Sequence, residues 1–197
     1  MACTALTKGR GLDCNRVAGG VKNVYFSVYD DFGNTDWAYD STNPQEIDTI
    51  DWNTHSIYKY VMPLGVASVS DAITGSTENG TIFYTPTVNI MLNKLTKEDQ
   101  NQIKLLGQTK VRMLVELNAK LASGHDVILC VGFENGLDLN TGSMDSGAAF
   151  GDRNGYTLTF TGMESRPMAF LEDYAEGAAI FSNAGFTNKA TPFVVSS

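Results

Sequence analysis

The chain has little with which to grip a phosphate. Its 197 residues hold 14 Lys and Arg against 22 Asp and Glu, a formal net charge of −8. Binding by phosphate neutralisation needs basic residues that release counterions, so a nucleic-acid grip is disfavoured. An acidic surface still suits a wall that DNA passes without being held, because like charge repels phosphate at close range. No stretch reaches the roughly 18 apolar residues of a spanning helix, and MACTALTKGRGLDCNRVAGG lacks the apolar core of a signal peptide. The expectation is a soluble chain made in the cytoplasm, with no membrane span. Cys3, Cys14 and Cys130 are odd in number and form no CxxC pair, so a full disulfide framework is impossible and reduced thiols are expected. With only His55 and His125, neither in a known motif, nucleophilic catalysis has few candidate bases.

The motifs that usually carry chemistry are also missing. GAAFGDRNGYTLTFTG, residues 147–162, is glycine-rich, but a phosphate cradle needs a helix after its glycines and here a strand pattern follows. It reads as a turn. Asp138, Asn140 and Asp145 alternate as calcium ligands do, without the required glycine and terminal Glu, so loop composition explains them better. No HExxH, GxSxG or Cys/His zinc spacing occurs. Asp30-Asp31, Glu98-Asp99 and Glu172-Asp173 are adjacent carboxylates that point in different directions. The expectation is a non-enzymatic chain with no catalytic, cofactor or metal residues. Asn79-Gly80-Thr81 fits a glycosylation acceptor but reads as a turn.

What is present is strand pattern. VKNVYFSVY (Val21 to Tyr29) and Ile57 to Met62 are rich in β-branched and aromatic residues. Between them, residues 30–53 are polar and turn-rich yet carry Phe32, Trp37, Tyr39 and Trp52, too much aromatic surface for an idle linker. Two destinations are open to these rings: a neighbouring subunit, or one end of the chain's own core. Gly65 to Thr74 and Thr81 to Asn93 flank GSTENG and predict a hairpin, with Pro86 marking an edge or a bulge. Thr96 with Asp99 three residues on caps a helix over about 96–109, whose apolar face of Ile103 and Leu106 is narrow. Val111 to Leu117, Asp126 to Phe133 and Tyr156 to Thr161 read as strands, and Glu134-Asn135-Gly136 predicts a brief return over Leu137 to Leu139. The apolar tail residues Phe193, Val194 and Val195 need a covering surface. The fold class is mainly β: an antiparallel β-sandwich or rolled β-barrel with one flanking helix and long loops.

Taken together, GRGLDCNRVAGGVKNVYF, the hairpin running into TPTVNIMLNKLTKEDQNQIKLL, VRMLVELNAK, VGFENGLDLNTG and GDRNGYTLTFTGMES resemble virion structural proteins of tailed phages of Bacteroidetes-type hosts, of the tail tube type. The resemblance implies one tail-tube-like domain over 1–197, with an N-terminal arm (about 1–20), a long loop (about 30–53) and a C-terminal extension (about 163–197). It implies a virion protein of the tail that assembles with itself into stacked, hexameric rings and with other tail proteins, while DNA passes through without specific binding. It carries no catalytic residues or cofactors. On this reading the 65–93 hairpin lines the lumen, with Asp71 or Glu78 facing DNA or the next ring, and Phe32, Trp37, Tyr39, Trp52, Phe193, Val194 and Val195 make subunit contacts. A capsid decoration or head–tail connector protein is the alternative within that class. A carbohydrate-binding module stacking sugars on Trp37, Tyr39 and Trp52 is the alternative from another.

Overall fold

The computed structural model describes residue 10 and residues 17–31, 33, 35–52, 56–172, 186–187 and 192–194. These form β1 (Val21–Val28), β2 (Trp37–Tyr39), β3 (Glu46–Asp51), β4 (Ile57–Val61), β5 (Ser68–Ser76), β6 (Thr81–Asn93) and α1 (Lys97–Leu106). There follow β7 (Val111–Lys120), β8 (Asp126–Val131), β9 (Asp138–Asp145), β10 (Gly155–Thr161), β11 (Ala169–Leu171), β12 (Phe186–Thr187) and β13 (Pro192–Val194). A nine-stranded sheet has the order β12-β3-β11-β8-β7-β1-β4-β13 with β2 beside β3, and a four-stranded sheet has the order β5-β6-β10-β9. The expected mainly-β fold with one helix is what forms, as a sandwich and not as a closed barrel.

Successive strand residues point to opposite faces, and in β1, β7 and β8 both sets are buried. Val24, Phe26, Met113, Val115 and Val131 meet Val88, Ile90, Leu158 and Phe160 of the small sheet in one core. Tyr25, Leu114, Ile128 and Cys130, of opposite parity, meet Ile47, Ile50, Trp52 and Ile57 in a second. β3 and β4 lie toward opposite ends of the sheet order yet share that second core, so the large sheet curls over its own face. Strands buried on both faces lose the apolar-polar alternation, as YFSV and RMLVEL do.

Three expectations change. Residues 30–53 are not one long loop: they supply β2 and β3, and Trp37 and Trp52 fill the second core. Pro86 is at neither an edge nor a bulge, since β6 lies between β5 and β10. It faces Gly162, whose N–H donates to its carbonyl at 3.2 Å, just past the last β10 pair, Thr87↔Thr161. The missing proline N–H therefore falls in the gap between that last β10 pair and the isolated Tyr84↔Glu164 bridge. Finally, the tail finds a partner within the chain: β13, containing Phe193 and Val194, pairs in parallel with β4. Phe32 and Val195 lie outside the described residues.

The helix forms where its cap predicts. The Asp99 N–H donates to Thr96 Oγ1 at 3.0 Å, and Ile103 and Leu106 rest on the first core. Trp52→Ala should cost about 3–5 kcal/mol in a denaturant melt. Gly155→Ala should also destabilise, because a Cβ there meets the Leu92 carbonyl oxygen across the β6–β10 ladder and the two strands must part.

Candidate self-assembly surfaces

Residues paired across an antiparallel ladder share a face, so the small sheet's register divides its side chains. The core side takes Val69, Val88, Ile90, Leu158 and Phe160. The solvent side takes Ser68, Ser70, Thr85, Thr87, Asn89, Thr141, Ser143, Thr157 and Thr159, with Met91 among them. These groups bond to one another across strands. The Thr159 hydroxyl donates to Asn89 Oδ1 at 2.7 Å, Asn89 Nδ2 donates to Ser68 Oγ at 3.4 Å, and the Asn140 amide donates to Thr161. None of the four strands contains Lys or Arg, and their acids are Asp71, Asp138 and Asp145. β5 and β9 border this sheet, each paired on one side only among the described residues.

The two hairpin acids differ in setting. Asp71 stands opposite Pro86 on the core side, where its carboxylate accepts from the Met168 N–H at 3.2 Å. Burial raises its pKa and that bond opposes the rise. Asp71 thus tethers the 163–168 segment and points away from the hydroxyl face, which corrects its expected outward role. Glu78 is exposed in the hairpin turn, where Gly80 takes φ +62°. Ile73 and Ile82 are on the core side too, yet 68% and 60% exposed, because the hairpin reaches beyond the large sheet.

The hairpin root is held by buried charge. Tyr84 and Glu164 exchange two backbone hydrogen bonds of 2.9 Å, and the Glu164 carboxylate accepts from the Glu134 and Asn135 N–H groups at 3.1 Å each. Burial raises the Glu164 pKa against those two bonds. Beside it, Arg112 is fully buried: Nε donates to the Phe133 carbonyl at 3.0 Å, Nη1 to the Tyr29 carbonyl at 2.7 Å, and its guanidinium lies 4.0 Å from the Tyr29 ring centroid. A polar cleft of about 940 Å³, lined by Tyr29, Thr85, Lys110, Gly136, Asn140 and Met163, opens at this end. Arg112 and Glu164 escape sequence reasoning because an isolated charge in a strand normally marks a solvent-facing position. The available signal is that both parities around Arg112 are apolar.

Another charged cluster ties β1, β7 and β8. Glu116 is 2% exposed and accepts from Asn23 Nδ2 at 2.6 Å and Tyr25 Oη at 2.9 Å, with Lys22 Nζ 3.1 Å away. A register shift between Val21 and Asn23 places Lys22 there, where it also bonds Asp126. Burial alone would raise the Asp126 pKa, but the bonds from Lys120 and Lys22, together with one to Glu116, outweigh it and hold it at about 2.

Of the expected contact aromatics, Trp52 is 0% exposed and Trp37 9%, so neither offers a face to a neighbouring subunit or a sugar. Tyr39 is half-buried beneath Arg166, 4.7 Å from its ring centroid. The 147–155 glycines do turn the chain into β10. Asn140 and Asp145 are engaged by Thr161 and by Ser143 and Arg153, and no cluster of three or more His, Cys, Asp or Glu side chains suited to a metal occurs among the described residues. His125 lies in the β7–β8 turn and His55 outside the described residues. Burial pushes the Cys130 thiol well above its usual range, which leaves it an inert core group. Cys3 and Cys14 lie outside the described residues.

The Asp126 pairing sets a pH dependence. A depressed folded-state pKa adds stability above the ordinary value of 3.8 and loses it as pH falls toward about 2. Thermal melts of wild type and Asp126→Asn should differ most near neutral pH and converge across that window.

No protein-family model matches this sequence, and no curated protein matches it. A chain in the solved structure titled "Virion of native gene transfer agent (GTA) particle" is similar to it at 7% sequence identity and a TM-score of 0.33, over 57% of this chain and 88% of that one.

Proposed function

We propose that this chain is a virion structural protein of the tail tube type. Copies join laterally by pairing β9 of one with β5 of the next, and the hydroxyl face of the small sheet lines a lumen through which DNA passes. The observation that carries this reading is a sheet whose two outer edges pair with nothing further among the described residues and whose four strands supply no basic side chain. Arg153, from the loop before β10, reaches Thr157 but is matched there by Asp145. Strand direction alternates across β5-β6-β10-β9, so β9 of one copy meets β5 of its neighbour antiparallel, and the sheet continues from copy to copy. Open edges are otherwise a liability that self-pairing removes.

The wall works by lacking cations more than by acidic repulsion, since most of the chain's acids lie outside these four strands. Hydroxyls already bonded to one another offer phosphate little, and with the strands free of Lys and Arg and Arg153 matched by Asp145, a passing backbone releases few counterions. The reading includes ring assembly as hexamers, contacts with other tail proteins and no enzymatic role.

Negative-stain microscopy with analytical ultracentrifugation over a concentration series should show rings or hollow tubes. A strict monomer at every concentration sinks the proposal, and rings that never stack favour a connector. Assemblies of wild type should not retain double-stranded DNA. Assemblies of Thr87→Arg with Thr159→Arg should retain it at low salt and release it as salt rises, read by co-sedimentation.

A further inference from the structure

We infer that the two ends of the small sheet are the halves of one axial contact: the β5–β6 hairpin of one copy seats on the loop between β9 and β10 of a second copy. This rests on the tube reading above and specifies how its rings meet. The hairpin turn precedes the first residue of β6, whereas the 146–154 loop leads into Gly155, which pairs with Asn93 at the far end of β6. Thirteen residues separate the two ends, roughly 40 Å of strand. A shift along the strand direction therefore brings the hairpin of one molecule to the loop of the next, and such a head-to-tail contact repeats indefinitely.

The ends are complementary. The hairpin displays Ile73 and Ile82, and Glu78 is the only charged residue from Ala72 to Thr85. The loop displays Phe150 with its side chain wholly exposed. That ring is not on a slack tether. The Asp152 carboxylate accepts from the Ala148 and Ala149 N–H groups at 2.9 and 2.7 Å, and the Asp152 N–H donates to the Ala149 carbonyl at 3.0 Å. Gly147, at φ +72°, makes the entry turn. A preordered aromatic on a polar loop is the form an anchor takes when it must bind without first being fixed in place.

Charge adds a second match. Lys94 adjoins the loop through its N–H, 2.7 Å from the Asn154 carbonyl, and is the non-glycine residue at positive φ (70°) among the described residues. A lysine gains nothing from that backbone conformation, which favours Gly or Asn. Neither its ammonium nor the Glu78 carboxylate has an ion-pair partner among the described residues. End-to-end docking gives each the other.

The test uses the full chain. Phe150→Ser, on an exposed side chain, should leave rings intact and abolish tubes in negative stain. Glu78→Lys and Lys94→Glu should each do the same, and the double exchange should restore tubes. In a background with Cys3 and Cys14 replaced by Ser, a mixture of Ile82→Cys and Phe150→Cys chains under a mild oxidant should form a mixed disulfide that neither gives alone. Normal tubes from Phe150→Ser, or tubes without the mixed disulfide, overturn this contact while leaving lateral assembly standing. A wild type that forms neither rings nor tubes overturns the tube reading and this contact with it.

Discussion

The central strands of the large sheet, β1, β7 and β8, are buried on both faces, and the rest of the molecule follows from that constraint. One parity of β1, β7 and β8 supports the small sheet, and the other is wrapped by β2, β3, β4 and the residues around Trp52. Side chains on such strands have nowhere wet to go, so each polar group must be satisfied on the spot. Arg112 and Glu116, on the same strand, meet this demand in different ways. Arg112 spends its donors on carbonyls of two loops, while Glu116 collects an amide, a phenol and an ammonium from β1. Both tie distant segments to the central strand, and removing either would leave buried groups unsatisfied: two carbonyls for Arg112, an amide and a phenol for Glu116.

The small sheet is relieved of that demand. Covered on one side only, it keeps a free face on which hydroxyl and amide side chains bond laterally across β5, β6 and β10. The division is one of tasks: the large sheet supplies stability, and the small one supplies surface, edges and two projecting ends. That arrangement explains how one chain can hold apolar residues such as Ile73, Ile82 and Phe150 in water without weakening its own core.

Much of this was legible in the sequence where a local rule governs. The hairpin after GSTENG, the capped helix and the Thr-rich β10 follow from turn chemistry, capping and alternation, and all formed within a few residues of expectation. What was not legible depends on curvature. Trp37 and Trp52 look like surface aromatics because polar turn residues surround them, and only the curl of the large sheet, which brings β3 and β4 to one core, buries them. Asp71 fails for a related reason. Parity assigns it to a face, but which face meets protein depends on where the other sheet lies. Pro86 looked like a strand's margin because a ladder seldom forgives proline, and here it sits in the gap between the last β10 pair and the Tyr84↔Glu164 bridge.

The pairing of β1 with β7 also has a cost in time. Tyr25 and Glu116, which meet inside the second core, are 91 residues apart in sequence. At roughly 5–20 residues per second of synthesis, VKNVYFSV emerges on the order of 5 to 20 seconds before the strand that covers its edge. Over that interval a segment with every trait of a sticky β-strand has one edge open, with only β4 made early enough to cover the other. The burial that makes the finished molecule firm therefore makes its first strand a natural client for a chaperone, and places the greatest risk of misassembly on the ribosome, ahead of any encounter between finished subunits.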